Sequence, residues 1–446
     1  MRFHFSRAPM FSKYVVHGGA SLRGNVTISG SKNAALPMMA AALLAKGPTV
    51  LRNVPDLSDV HLMAEILETL GCRVSLFDEP GVVVIDVIDE TPVVAPYELV
   101  SEMRASFCVL GPLLSRRGEA HVSQPGGCTL GERPVDLHVK GIAAIGSEVK
   151  FERGNVIAKG RPTGGRVYLG GAMGPSVTGT ANVMCAAVMG SGVTIIDQAA
   201  CEPEIANLAA MLNSMGAQVS GGGTSRLVIN GVKELHPTDI AIIPDRIECG
   251  TFIAAAAISR GDIVIERCDP DVLLAVFDKC AEMGIDISRL DDTTLRVRCE
   301  NRPRATDLVT LPYPGFPTDL QSPFMSVLCV ADGFAIVEEK IYPERFMHVP
   351  EYRRLGADIR KQFATCIVSG VTRLQGAPAA STDLRAGAGL VLMGLAAEGE
   401  TQVLKIQHID RGYERFHEKL AALGATIKRV EFVPARRAED RRREAA

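Results

Sequence analysis

One pattern recurs six times along the chain and constrains its fold more than any other feature: an amphipathic, helix-like stretch, a glycine, then a short β-like run. It reads LETLGCRVSLF around Gly71, AAIGSEVKF around Gly146, LNSMGAQVS around Gly216, CAEMGIDIS around Gly284, YRRLGADIR around Gly356 and LAALGATIKRV around Gly424. The intervals are 75, 70, 68, 72 and 68 residues. A helix end needs a residue that tolerates positive φ, and glycine does so without a Cβ penalty. A second series interleaves with the first. More uniformly apolar stretches, such as AALPMMAAALLA, TANVMCAAVM, TFIAAAAIS and LRAGAGLVLMGLA, lead to Gly47, Gly118, Gly192, Gly261, Gly333 and Gly399. Helices that are apolar all round are buried, whereas amphipathic ones lie outside with a wet face. The unit therefore carries two helices and several strands. It is longer than the roughly 20–50 residues of solenoid repeats and closer to a small α/β subdomain. Six such units group as two sets of three.

Length by itself would divide the 446 residues into about three domains, so the repeat and not the length sets the organisation. Composition removes several classes of function. With 48 Lys and Arg against 51 Asp and Glu, a net charge of −3, no Trp and 5 % aromatics, the chain has neither the field nor the stacking surface of a nucleic-acid binder. A hydrophobic content of 47 % excludes disorder for most of its length. The longest apolar stretches, Ala35 to Ala45 and Gly387 to Ala397, fall well short of the ~20 residues that span a membrane, and the N-terminus lacks the apolar core of a secretory signal. The eleven cysteines are odd in number and no two are closer than twelve residues, which excludes CxxC metal or redox spacing and disfavours a disulfide framework. A reducing cytoplasm is the expected compartment. The tail from Pro434 holds five Arg and three acidic residues in thirteen and reads as a solvated extension.

No GxxxxGK[ST] or HExxH is present, and no GxGxxG opens a helix, so neither a metal nor a cofactor is expected. Glycine pairs such as Gly170–Gly171 and the run Gly221–Gly223 read as turns. Four segments instead place polar groups on turns beside apolar helices. In SGSKNAALP, Lys32 and Asn33 lie on a Gly/Ser turn that opens an apolar helix from Ala34, an arrangement suited to an anion or simply a capped helix start. In QPGGCTLGERPVDLH, Cys128 lies on a glycine-rich loop with Arg133 nearby, and positive charge would lower its thiol pKa. In PGFPTDLQSPF, Asp319 is either a helix N-cap or a rigidly placed general base. Finally, STDLRAG (Arg385), HIDRGYERF (Arg411, Arg415) and EMRASF (Arg104) supply cations that are individually ordinary.

Taken in order, SGSKNAALP, MRASF, PGGCTLGERPVDLH, PSVTGTAN, PDRIECGTF, GFPTDLQ, ERFMHVPEYRRLGA, TDLRAG and HIDRGYERF resemble the UDP-N-acetylglucosamine 1-carboxyvinyltransferase family, the enolpyruvyl transferases of peptidoglycan synthesis. The resemblance runs from residue 29 to about 425. It implies a two-domain inside-out α/β barrel of six βαβαββ repeats, three per domain. The first domain would span residues 30–243, the second 13–29 plus 244–433, with a charged tail at 434–446.

The implied reaction adds a sugar 3-hydroxyl to C2 of phosphoenolpyruvate while C3 gains a proton; the tetrahedral ketal then loses phosphate. Carbon–oxygen rather than phosphorus–oxygen cleavage asks for an acid, a base and cations rather than Mg²⁺. By resemblance Cys128 is the proton donor and the residue alkylated by fosfomycin, and Asp319 is the base at the sugar hydroxyl. Lys32, Arg133 and Arg411 surround phosphate and carboxylate, supported by Arg345 and Arg385, with Asn33 and Arg104 in the same pocket. Arg133, Pro134, Val135, Asp136 and Leu137, together with Ser176, Val177 and Ile341, match the segments that hold the uridine nucleotide. Thr178 stands where the family has glycine, and a Cβ there restricts φ and backbone approach; Cys108 replaces a bulkier residue one turn after Arg104. The expected partners are the two substrates, with no nucleic acid, membrane insertion or obligate protein partner. The alternatives are the sister enolpyruvyl transferase of the shikimate pathway, which lacks a cysteine loop, and a non-catalytic sugar-nucleotide-binding paralogue, in which Cys128, Asp319 or Lys32 should be lost.

Overall fold

The structure, a computed structural model, describes residues 11–124 and 135–432. Among these residues six four-stranded sheets share one pattern: an edge strand runs parallel to a central strand, which is followed by two antiparallel strands. In the first sheet the order is Asp239–Ala241, Gly47–Arg52, Val83–Val87 and Cys72–Leu76. Each glycine-marked unit supplies at least three strands of one such sheet, and in three of the sheets the remaining strand comes from a distant part of the chain. In the sixth, the N-terminal strand Phe11–His17 takes the third place, antiparallel to both Glu400–Leu404 and Thr426–Phe432.

The amphipathic helices Ser58–Thr69, Asp136–Ala144, Pro203–Ser214, Leu274–Met283, Val349–Arg354 and Phe416–Ala422 all lead to a glycine of the first series. Those six glycines have φ between 78° and 103°, where a side chain would be strained. In the second series Gly192 and Gly261 do not take positive φ; there a Cβ would lie 2.3 Å from Thr163 O and 2.5 Å from Leu22 O, so space and not torsion requires glycine. The apolar helix Val177–Ala187 packs on both Lys32–Ala41 and Leu110–Arg117, while Arg246–Ile258, Gln321–Leu328 and Leu384–Ala396 pack on one another. Every residue of Arg246–Ile258 is buried, and its run Ala254 to Ala257 permits close helix approach. The helix expected from Ala34 starts two residues earlier, at Lys32, because the Ser31 hydroxyl accepts from Ala34 N and caps it. Gly170–Gly171 is a short strand paired with Gly174–Pro175 rather than a plain turn, while Gly221–Gly223 does turn the chain between Gln218–Ser220 and Arg226–Asn230.

Buried apolar side chains fall into two clusters. One runs from Ala34 to Ile242; the other joins Tyr14–Ile28 to Ile247–Ile427. The chain passes between them twice, and the two passages touch. Gly30 bridges Pro244, Ser31 N donates to Ile243 O at 2.8 Å, and Asp245 N donates to Ser29 O at 2.9 Å. This contact sets the starts of helices Lys32–Ala41 and Arg246–Ile258 side by side. Asp245 couples them: one carboxylate oxygen accepts from Ile247 N and Glu248 N at 2.8 and 2.9 Å, and the other from Lys32 N at 3.3 Å. No described helix is long and apolar enough to cross a membrane. All ten described cysteines are free, nine of them buried and Cys201 partly exposed. Residues 1–10 and the tail from 433 lie outside the described residues.

Candidate functional site

A cavity of about 430 Å³ opens between the two clusters, lined from the first by Lys32, Asn33 and Arg104 and from the second by Asp319, Ile341 and Arg411. The expected cations are held by a residue that local sequence reading missed. Asp59, only 4 % exposed, accepts from Lys32 Nζ at 3.1 Å and from Arg411 Nε at 2.7 Å. Burial raises its carboxyl pKa, but the charges of Lys32 and Arg411 outweigh burial and hold it below the usual carboxylate range. In sequence Asp59 is an acidic residue in the first turn of an amphipathic helix, a common dipole partner that offers no further signal.

Asp319 does not cap a helix. It sits on the single 3₁₀ turn Thr318–Leu320 without a capping hydrogen bond, because its carboxylate is engaged by two buried guanidiniums. Arg345 Nη1 donates to Oδ1 at 2.7 Å, and Arg385 Nη2 to Oδ2 at 3.2 Å. The arginine side chains are 3 % and 1 % exposed, whereas Asp319 keeps 26 % of its side chain open to the cavity. Burial raises its pKa, yet Arg345 and Arg385, with Lys32 further away, hold the carboxyl far below the usual range. Behind it, Glu339 accepts from Thr318 Oγ1 at 3.0 Å and from the backbone N of Ile341 and Tyr342 at 2.9 and 3.0 Å. Glu339 therefore ties the Ile341 wall to the Asp319 turn, a second role invisible in its strand pattern.

Ser176 and Val177 line the cavity at the start of helix Val177–Ala187, where Ser176 Oγ accepts from Gly179 N at 3.1 Å. Thr178 is helical and free of the strain expected of a residue in place of glycine. Val135, Asp136 and Leu137 start helix Asp136–Ala144 and do not line the cavity. Cys128, Arg133 and Pro134 lie outside the described residues. Of the remaining cations, Arg415 pairs with Glu418 at the surface, away from the cavity. Cys108 is buried among apolar groups, which pushes its thiol up to about 12 and keeps it protonated. A further pair was not foreseen: Arg246 Nε donates to Glu204 at 3.0 Å, both side chains buried at the cavity wall.

The site thus sets two cations, sharing one carboxylate, opposite an ionised acid held by two arginines: an environment for a small polyanion beside a group that can accept a hydroxyl proton. Solved enolpyruvyl transferases have the same fold. The chain is similar to the enolpyruvyl transferase NikO from Streptomyces tendae, at 24 % identity and a TM-score of 0.85, covering 95 % of this chain and all of that one. It is also similar to an EPSP synthase structure from Acinetobacter baumannii, at 17 % identity and a TM-score of 0.71, covering 94 % of this chain and all of that one. The model of the EPSP synthase (3-phosphoshikimate 1-carboxyvinyltransferase) family matches residues 16–420, nearly the whole chain and every cavity residue named above, and the protein belongs to that family of enolpyruvyl transferases.

Proposed function

We propose that this enolpyruvyl transferase moves the enolpyruvyl group of phosphoenolpyruvate to the 3-hydroxyl of UDP-N-acetylglucosamine and releases phosphate. The observation that carries the acceptor assignment is the apolar part of the cavity lining. Met173, Leu311, Tyr313 and Ile341 contribute to it, and Arg246, 5.5 Å from the Tyr313 ring, is neutralised by Glu204. Such a lining suits a nucleoside and an acetamido sugar better than a second small polyanion, which calls for unpaired cations.

In this reading the acceptor hydroxyl gives its proton to Asp319 as its oxygen bonds to C2 of phosphoenolpyruvate, while Cys128 delivers a proton to C3. The ketal then returns a C3 proton to the Cys128 thiolate as the bond from C2 to the phosphate oxygen breaks, and the departing phosphate takes the proton held by Asp319, leaving the enol ether. Lys32, Arg411 and Arg133 take the phosphate and carboxylate oxygens, with Asn33 and Arg104 beside them and Arg345 and Arg385 behind Asp319. Asp319, ionised at all ordinary pH, accepts from the acceptor hydroxyl and aligns it on C2. Ser176, Val177 and Ile341 hold the nucleotide within the cavity, and the segment Arg133–Leu137, whose described residues lie outside the cavity lining, would reach it from beyond the cavity. The two apolar clusters and six sheets support two three-unit domains closed as inside-out barrels, divided at residues 29–30 and 243–244. The protein would act in the cytoplasm at the first committed step of peptidoglycan synthesis and be inactivated by fosfomycin.

The family model is named for the shikimate acceptor, which makes 3-phosphoshikimate the second reading. One assay separates them: phosphate release from phosphoenolpyruvate with either acceptor. Release with UDP-N-acetylglucosamine alone supports the proposal, and release only with 3-phosphoshikimate overturns it.

A further inference from the structure

Beneath the cavity wall, three side chains form a chain of hydrogen bonds whose direction is set by groups that can only donate or only accept. Asn182 Oδ1 accepts from Gly111 N at 2.5 Å, and Asn182 Nδ2 donates to the Phe107 carbonyl at 2.9 Å, so the amide has one orientation. Nδ2 also lies 3.0 Å from His138 Nδ1 and must donate to it. His138 is 1 % exposed; burial first, and the charge of Arg104 second, push it down to about 3, so the ring is neutral and carries its one proton on Nε2. That proton goes to Thr178 Oγ1 at 3.2 Å. The hydroxyl of Thr178 is thereby used as an acceptor from below, and its own proton must point elsewhere. Among the described residues His138 is its one polar partner, and Thr178 lines the cavity.

We propose that Thr178 is a specificity-determining residue: its hydroxyl, oriented by Asn182 and His138, donates into the cavity to an anionic oxygen of the second substrate. On the function proposed above, that oxygen belongs to the diphosphate of the sugar nucleotide. The adjoining helix start strengthens the site. Val177 N and Thr178 N have no intrahelical acceptor, whereas Gly179 N and Thr180 N are taken by Ser176. A glycine at 178 would leave the His138 proton without this acceptor and the cavity without this donor.

The test compares wild type with Thr178→Val, which keeps the shape and removes the hydroxyl, and Thr178→Ser, which keeps the hydroxyl. With phosphoenolpyruvate and UDP-N-acetylglucosamine, Val should raise KM for the nucleotide about tenfold or more, the scale of one hydrogen bond to a charged group. Ser should stay near wild type, and KM for phosphoenolpyruvate should stay unchanged in both. If Val does not fold, Thr178→Ala is measured in its place. Equal nucleotide KM in Val and wild type, or a loss in Ser as large as in Val, overturns the proposal. Calorimetric titration with UDP separates the two readings. Wild type that binds UDP without turning over UDP-N-acetylglucosamine sinks the acceptor assignment, while weaker UDP binding in Val than in Ser still supports the hydroxyl. Failure of wild type to bind UDP overturns the role of Thr178 as well.

Discussion

Arg411 Nε donates to Asp59 Oδ1 at 2.7 Å across 352 positions of sequence, and the other oxygen of Asp59 receives Lys32 Nζ at 3.1 Å. One buried carboxylate thus fixes the distance between two cations supplied by opposite ends of the chain. A small polyanion meets a preset pair of charges and not two flexible side chains, which lowers the ordering cost of binding.

Replacing Asp59 by Asn keeps the volume and removes the charge that aligns the pair. Turnover per phosphoenolpyruvate captured, kcat/KM, should fall about 10–100-fold, the scale of a misplacement near 1 Å. Unchanged kcat/KM would show that Lys32 and Arg411 position themselves.

Asp319→Asn leaves Arg345 and Arg385 buried without their shared counter-charge. Breaking a buried ion pair from one side costs about 3–5 kcal/mol, so urea denaturation should show a loss of that order. Turnover should vanish while nucleotide binding remains measurable by calorimetry. Normal turnover by the Asp319→Asn enzyme would remove this carboxylate from the reaction.

Stability should decline well above the carboxylate range as pH falls. Burial, reinforced by Arg104, pushes His138 down to about 3, and burial pushes His348 down to about 4. The unfolded chain protonates both near pH 6.5, and the folded protein does not, so protons accumulate on the unfolded state. Stability present above about pH 6.5 is therefore lost toward pH 4, at up to about 1.4 kcal/mol per pH unit for each histidine. Asp59 and Asp319, whose folded pKa values are lowered, add their loss only below about pH 4. Urea midpoints at pH 7.5, 6.0 and 5.0 test this; identical midpoints would mean that the two rings are not buried neutral.

Gly30 lies where the two chain passages meet. A Cβ there would sit 1.7 Å from Asn53 O, a backbone atom that cannot rotate aside. Gly30→Ala should destabilise the protein by more than about 2 kcal/mol and, by shifting Ser31 and Lys32, raise KM for phosphoenolpyruvate. A variant with wild-type melting temperature and KM would show that the passage has slack.

Much of the architecture was readable because it is written in local chemistry. The six glycines that end the amphipathic helices reflect a backbone torsion, and torsions depend on neighbours in sequence. Lys32 and Arg411 were legible as cations on turns beside apolar helices. Asp59, Asp245 and Glu339 were not, since each resembles an ordinary helix-start acid or strand residue until its distant partners are in place. Asp319 misled locally in the same way: its neighbours suggest a helix cap, and the two arginines that claim it arrive from 26 and 66 residues away.

The amino-acid sequence by itself therefore determined the repeat, the burial of one helix series and the kinds of charge available. Tertiary structure alone decided which charges meet, that Thr178 faces His138 and where the cavity opens. The reason is range. Helix ends and apolar faces are settled within a few residues by torsion and solvation, whereas ion pairing and hydrogen-bond direction depend on groups far apart in sequence that only the folded chain brings within about 3 Å of one another.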